Sequence, residues 1–148
     1  LYSMARLYKD FFQPYEAKKY YELYLRKAPH DVVSLFDYSV VLLDLDLHDE
    51  AYEALKKAHT IDPHDVYVII NLTLVIQHKK MRPRVALRLL KKAAEIKPVD
   101  ADVLFSLAKV AWDVGEELTC FNAREMLHLI DPELCAELDE RTGRQGWL

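Results

Sequence analysis

Apolar residues recur three and four positions apart in stretches of about a dozen residues, and short polar turns separate the stretches. The clearest run from Val32 to Leu43, from Val66 to Gln77 and from Ala101 to Val114. Leu35, Tyr38 and Leu42 in the first stretch hold the same places as Ile69, Leu72 and Ile76 in the second, and as Leu104, Leu107 and Ala111 in the third. Residues at this spacing share one face of a helix, so each stretch is predicted to be a helix with one buried side. The apolar residues do not alternate singly over short runs, which argues against a sheet.

A second kind of helix is predicted to lie between these, each ending at a proline. Twelve residues before Pro29, Pro63, Pro98 and Pro132 stand Ala17, Ala51, Ala86 and Cys120. Eight before them stand Tyr21, Leu55, Leu90 and Arg124, and five before them Tyr24, Ala58, Ala93 and Leu127. A small residue with large apolar ones four and seven positions on lets a neighbouring helix approach closely. The prolines fall 34, 35 and 34 residues apart, a period that marks an array of supersecondary units. Two residues after the first three stand Asp31, Asp65 and Asp100, each placed to cap the helix that follows. The longer interval puts its extra residue in the turn from Gln77 to Arg84.

These residues resemble the tetratricopeptide repeat family, whose 34-residue unit is a pair of antiparallel helices. Leu35, Tyr38, Ser39, Leu42, Ala51, Leu55, Ala58 and Pro63 fill its pattern in the second unit, and Ile69, Leu72, Thr73, Ile76, Ala86, Leu90, Ala93 and Pro98 in the third. The fourth matches through Leu104, Leu107, Ala108, Gly115 and Pro132 but has Arg124 where a large apolar residue is expected, so its second helix is expected to pack less well or to be rotated. The first keeps Met4, Ala5, Tyr8, Ala17, Tyr21 and Pro29. The implied fold is an all-α solenoid of four helix pairs, 1–31, 32–65, 66–100 and 101–134, with a short capping helix and tail over 135–148. Counted back from Pro29, Leu1 falls inside a repeat, so the first unit reads as truncated and the sequence as beginning within a longer one. A pentatricopeptide array would carry a glycine shortly before the proline, where this chain has Thr60-Ile61-Asp62 and Glu95-Ile96-Lys97.

In stacked helix pairs the first helices line the inner surface. Projection puts Val33, Phe36, Asp37, Val40, Tyr67, Ile70, Asn71, Leu74, Phe105, Lys109 and Trp112 there, a mostly apolar set expected to bind a partner protein or an amphipathic segment. The resemblance also implies a test: the carboxylate clamp of some chaperone-binding members needs lysine, asparagine and arginine on these helices. The corresponding places hold Phe36, Val40, Asn71, Asp102 and Ser106, of which only Asn71 fits.

Charge adds a second candidate surface. The net charge is -4, but Lys79 to Lys97 holds eight basic residues against Glu95 alone. Lys79, Lys80, Arg82, Arg84 and Arg88 form a candidate patch for an anionic partner, set against the plainer reading of a solvated outer face. No aromatic residues interleave with them, which argues against single-stranded nucleic acid. Cys120 and Cys135 lack a CxxC spacing, which fits a reduced, cytoplasmic setting with no secretory leader, and the six histidines lack a metal-ligand spacing. No phosphate loop, GxSxG elbow or HExxH helix is present, so neither an enzyme, a cofactor nor a small-molecule substrate is implied. No apolar run reaches the roughly 20 residues needed to span a bilayer. The expected function is a non-catalytic interaction scaffold, a fixed subunit of a larger assembly. The alternatives are the interaction segment of a larger enzyme and an array that self-associates into a homo-oligomer through its apolar face.

Overall fold

A computed structural model describes residues 1–79 and 82–143. Among these residues the chain forms nine helices and no strand: α1 (Tyr2–Asp10), α2 (Pro14–Lys27), α3 (Val32–Asp44), α4 (His48–Ile61), α5 (Val66–His78), α6 (Pro83–Ile96), α7 (Ala101–Val114), α8 (Glu117–Ile130) and α9 (Pro132–Thr142). They divide into two compact units, Leu1–Lys79 with α1 to α5 and Lys80–Leu148 with α6 to α9. The division falls between Gln77 and Arg84, within the longer, second proline interval.

The capping aspartates act as expected. Asp31 accepts from the Ser34 N–H and from its hydroxyl at 2.9 Å, Asp65 from the Tyr67 and Val68 N–H groups, and Asp100 from that of Val103. Asp131 does the same for α9 from a different place, just before Pro132 rather than two residues after it, and accepts from the Leu134 N–H. Pro132 therefore opens α9 directly, where a proline's missing N–H costs no helical bond.

Three of the first-to-second turns share one hydrogen-bond pattern. The N–H groups of Gln13, Leu47 and Glu116 donate to carbonyls five residues back, and those of Phe12, Asp46 and Gly115 to carbonyls three residues back. This is the Schellman closure, and it demands a left-handed residue at the second set of positions. They comply, with φ 55°, 57° and 81°.

Burial follows the columns of small and apolar residues. Ala17, Ala51, Ala86 and Cys120 are fully buried, as are Tyr21, Leu55 and Leu90 one helical turn on. In Leu1–Lys79, Ala5, Ala17, Tyr21 and Val41 form a cluster ringed by Tyr2, Tyr8, Tyr20, Tyr38 and Leu45. The tyrosine rings touch one another, Tyr8 stacking on Tyr20 with centroids 5.4 Å apart and Tyr2 meeting the edge of Tyr21 at 6.3 Å. Burying a phenol without a partner is costly, and three tyrosine hydroxyls of this unit reach a carboxylate: Tyr2 donates to Asp37 at 3.0 Å, Tyr24 to Asp31 at 2.9 Å and Tyr38 to Glu22 at 3.0 Å. The Tyr21 hydroxyl is instead buried with no partner among the described residues, and burial raises its pKa.

In Lys80–Leu148 the core is aliphatic and α8 is not loosely packed, contrary to the expectation set by Arg124. That residue is 9% exposed, its Nε and Nη2 donate to the two carboxylate oxygens of Asp139 on α9 at 2.9 and 2.8 Å, and its Nη1 donates to Glu125 at 2.8 Å. A fork-to-fork pair of this kind satisfies both charges while the guanidinium stem packs. The hydrogen bond it donates to Asp139, with the nearby negative charge, pushes its pKa further above the ordinary value. Cys135 and Cys120 are both buried, and burial raises the pKa of Cys135.

Candidate partner-binding surfaces

The residues projected onto the inner face separate into those that stay open and those the fold uses. On α3, Val33 is 61% exposed while Phe36 and Val40 are half-buried. On α5, Tyr67 and Leu74 are exposed and Asn71 is half-buried, but Ile70 is only 9% exposed and belongs to the packing. α3 thus carries apolar side chains at i, i+3 and i+7, and α5 at i and i+7 with Asn71 between them, along the face a partner segment would meet. Asp37 is not a free polar anchor: besides Tyr2 it holds the Lys9 ammonium at 3.3 Å, and so ties α3 to α1.

In Lys80–Leu148 the same projection picks out Phe105, Lys109 and Trp112 on α7, all half-buried. Phe105 is covered in part from α9, whose Arg141 guanidinium lies 5.6 Å from the ring centroid. The closing helix therefore occupies part of the surface that the repeat pattern left open. Asp113, on the same helix, has its pKa raised by burial, against the pull of Lys109.

The basic residues resolve into paired and open groups. Lys79 belongs to Leu1–Lys79, where its ammonium pairs with Asp49 and lies 5.7 Å from the Tyr52 ring centroid. Lys80 lies outside the described residues. Arg82, Arg84 and Arg88 are exposed in the other unit, where Glu116 takes Lys91 at 2.8 Å and Arg84 at 4.0 Å. The hydrogen bond from Lys91, with Thr119 and Arg84 adding to it, lowers the pKa of Glu116. Part of the local positive charge is thus neutralised inside its own unit.

Other features had no signal in the projection. His48 and His78 stack with centroids 3.6 Å apart, yet among the described residues no three His, Cys, Asp or Glu side chains come together as metal ligands. No helix there is long and apolar enough to cross a membrane. Several large apolar side chains stand out on second helices and turns: Phe11, Phe12 and Tyr15 in one unit, Leu118 and Leu129 in the other. In Leu1–Lys79 an open trough of about 570 Å³ also lies against α4, lined by Leu25, Leu35, Tyr38, Glu50, Glu53 and Lys57 among others.

No protein-family model matches the chain, and no curated protein matches it in sequence. Solved structures do match. MamA aligns at a TM-score of 0.79 and 21% identity over 95% of this chain and 85% of its own. YrrB, described as a TPR protein with an unusual peptide-binding site, aligns at 0.78 and 15% identity over 97% and 77%. A thermophilic TPR protein of Thermus thermophilus aligns at 0.76 and 18% identity over 97% and 81%. At such identities the likeness is one of fold, and it agrees with the helix pairs, the cap positions and the columns of small residues. The chain has the all-α solenoid fold of the tetratricopeptide-repeat proteins.

Proposed function

We propose that the chain is a non-catalytic protein-interaction scaffold that holds a partner protein, or an amphipathic segment of one, on the exposed faces of its first helices, as a subunit of a larger assembly. The observation that carries this reading is the pair of apolar sets on α3 and α5, where Val33, Tyr67 and Leu74 remain exposed at helical spacing beside half-buried Phe36 and Val40. Exposed apolar side chains at such regular spacing cost solubility unless something covers them. The apolar character favours a lasting contact over an exchangeable one. YrrB, of the same fold, is described with a peptide-binding site, which is consistent with this use of the scaffold. Two cysteines without a CxxC spacing fit a reduced, cytoplasmic setting.

Phe36→Asp and Leu74→Asp test the reading. Each places a charge within the set without touching a fully buried residue, so helicity by circular dichroism is retained and capture of partners cross-linked in native lysate is lost. Capture retained by both variants overturns it. Light scattering separates the self-associating alternative: a monodisperse monomer at high concentration excludes it.

A further inference from the structure

The turn between α1 and α2 differs from its equivalents. The Schellman closure requires a left-handed residue, which Gly115 supplies without strain and Asp46 tolerates, but here it is Phe12, φ 55°. Packing does not offset that strain, because Phe12 is 91% exposed, and Phe11 and Tyr15 beside it are 69% and 77% exposed. The backbone that presents them is fixed by the Phe12 N–H donating to Lys9 and the Gln13 N–H donating to Tyr8. Three aromatic rings held outward on a closed turn lose little freedom on docking, and a strained, exposed residue is a mark of functional use.

Charge decides what docks. Asp10 ends α1 and Asp44 ends α3, each at the negative end of its helix, and Glu16 stands in the first turn of α2. None of the three makes an ion pair among the described residues, whereas the nearby ammonium groups of Lys9 and Lys18 are taken by Asp37 and Glu22. Arg6 and Lys19 are exposed, and the Lys19 ammonium lies 5.9 Å from the Tyr20 ring centroid. A hollow of about 190 Å³ brings together Phe12, Pro14, Val41, Asp44 and Lys9, whose ammonium is paired with Asp37. A guanidinium entering it meets both a carboxylate and an aromatic ring, the two groups that a planar delocalised cation engages at once.

We infer that the α1–α2 turn is a second docking surface, for an arginine-rich segment of a partner protein, with Phe12 as its anchor and Asp44 as its counter-charge. It is independent of the α3 and α5 faces. An anionic lipid surface is disfavoured by the three carboxylates.

The test uses the whole chain and a fluorescein-labelled 12-residue peptide carrying four arginines among serine and leucine, read by fluorescence anisotropy. Saturable binding is expected, weakening as salt is raised. The same peptide with lysines binds several-fold more weakly, and with glutamates not at all. Phe12→Gly reduces affinity about tenfold while the melting temperature rises, so lost contact is not confused with lost fold. Asp44→Asn weakens binding less, and Phe36→Asp leaves it unchanged. Equal binding by Phe12→Gly, equal capture of the glutamate peptide, or attachment to phosphatidylcholine–phosphatidylserine vesicles without peptide binding overturns the proposal.

Discussion

In Leu1–Lys79 the helix pairs are sealed by tyrosines whose hydroxyls reach carboxylates on neighbouring helices; in Lys80–Leu148 the same job falls to leucine, alanine and one arginine that reaches a carboxylate. Both arrangements answer one problem. A helix pair cannot bury its whole apolar face alone, and where a bulky polar-tipped side chain enters the seam its tip must find a partner. The first unit spreads this over several neutral donors. The second concentrates it in one guanidinium and Asp139, a pair that ties α9 to α8.

That concentration predicts the largest effect. Asp139→Ala leaves the nearly buried Arg124 guanidinium without its fork-to-fork carboxylate, and breaking such a pair costs on the order of 3 kcal/mol. Hydrogen exchange should show α9 losing protection first. Replacing both partners by leucine restores the apolar pattern and should recover most of the loss, because the desolvation cost of the charges disappears with them. A double variant as unstable as Asp139→Ala would mean that the pair is not what fastens α9.

The turns give a smaller, oppositely signed pair of effects. A Cβ at Gly115 meets nothing within 4 Å, so Gly115→Ala is strained by backbone alone and should cost about 1 kcal/mol. Phe12→Gly at the equivalent place in the other unit should raise stability by a similar amount, partly offset by the freedom glycine gains when unfolded. Thermal melts of the two variants should move in opposite directions. Movement in the same direction would deny that the two turns share one requirement.

The same two turns show what could be read from the chain and what could not. Asp31, Asp65 and Asp100 were legible, because a cap acts locally, and Gly115 was legible as a position of the repeat pattern. Phe12 was not, because a phenylalanine carries no mark of a positive φ, and only the shared closure of three turns reveals it. Arg124 read as a defect because its partner lies fifteen residues on, in a helix outside the period of the array. Asp37 projected onto the open face, but Tyr2 and Lys9 reach it from 35 and 28 residues upstream. Periodicity names the buried face of each helix; it cannot say which polar residue on the other face has already been claimed by a neighbour.

The tyrosines sharpen the contrast within Leu1–Lys79. The Tyr21 hydroxyl is buried without a partner, so Tyr21→Phe removes a desolvated group at no loss of packing and should stabilise by up to about 1 kcal/mol. Tyr38→Phe removes a donor to Glu22 and should destabilise by about 1 kcal/mol. Chemical denaturation with unchanged slopes would confirm that both act on the folded state.

Acid should produce the smallest difference, because the second unit holds carboxylates shifted in both directions. Burial works against charge on Glu22 and Asp31, but hydrogen bonds from Lys18 and Tyr38 to the first, and from Ser34 and Tyr24 to the second, outweigh it and hold both pKa values below the ordinary 4.5 and 3.8. Asp49 is held low by the hydrogen bond from Lys79. A carboxylate with a lowered folded pKa stabilises fully above its unfolded value and loses that contribution as pH falls through the folded one. Glu116 behaves the same way in the second unit, but Asp113 there has its pKa raised by burial, so its protonation relieves a cost instead of removing a bond. Between about pH 5 and 3, amide protection should therefore fall earlier across α2 and α3 than across α7 and α8. Equal loss in both would show that the phenol and ammonium bonds to these carboxylates contribute nothing net.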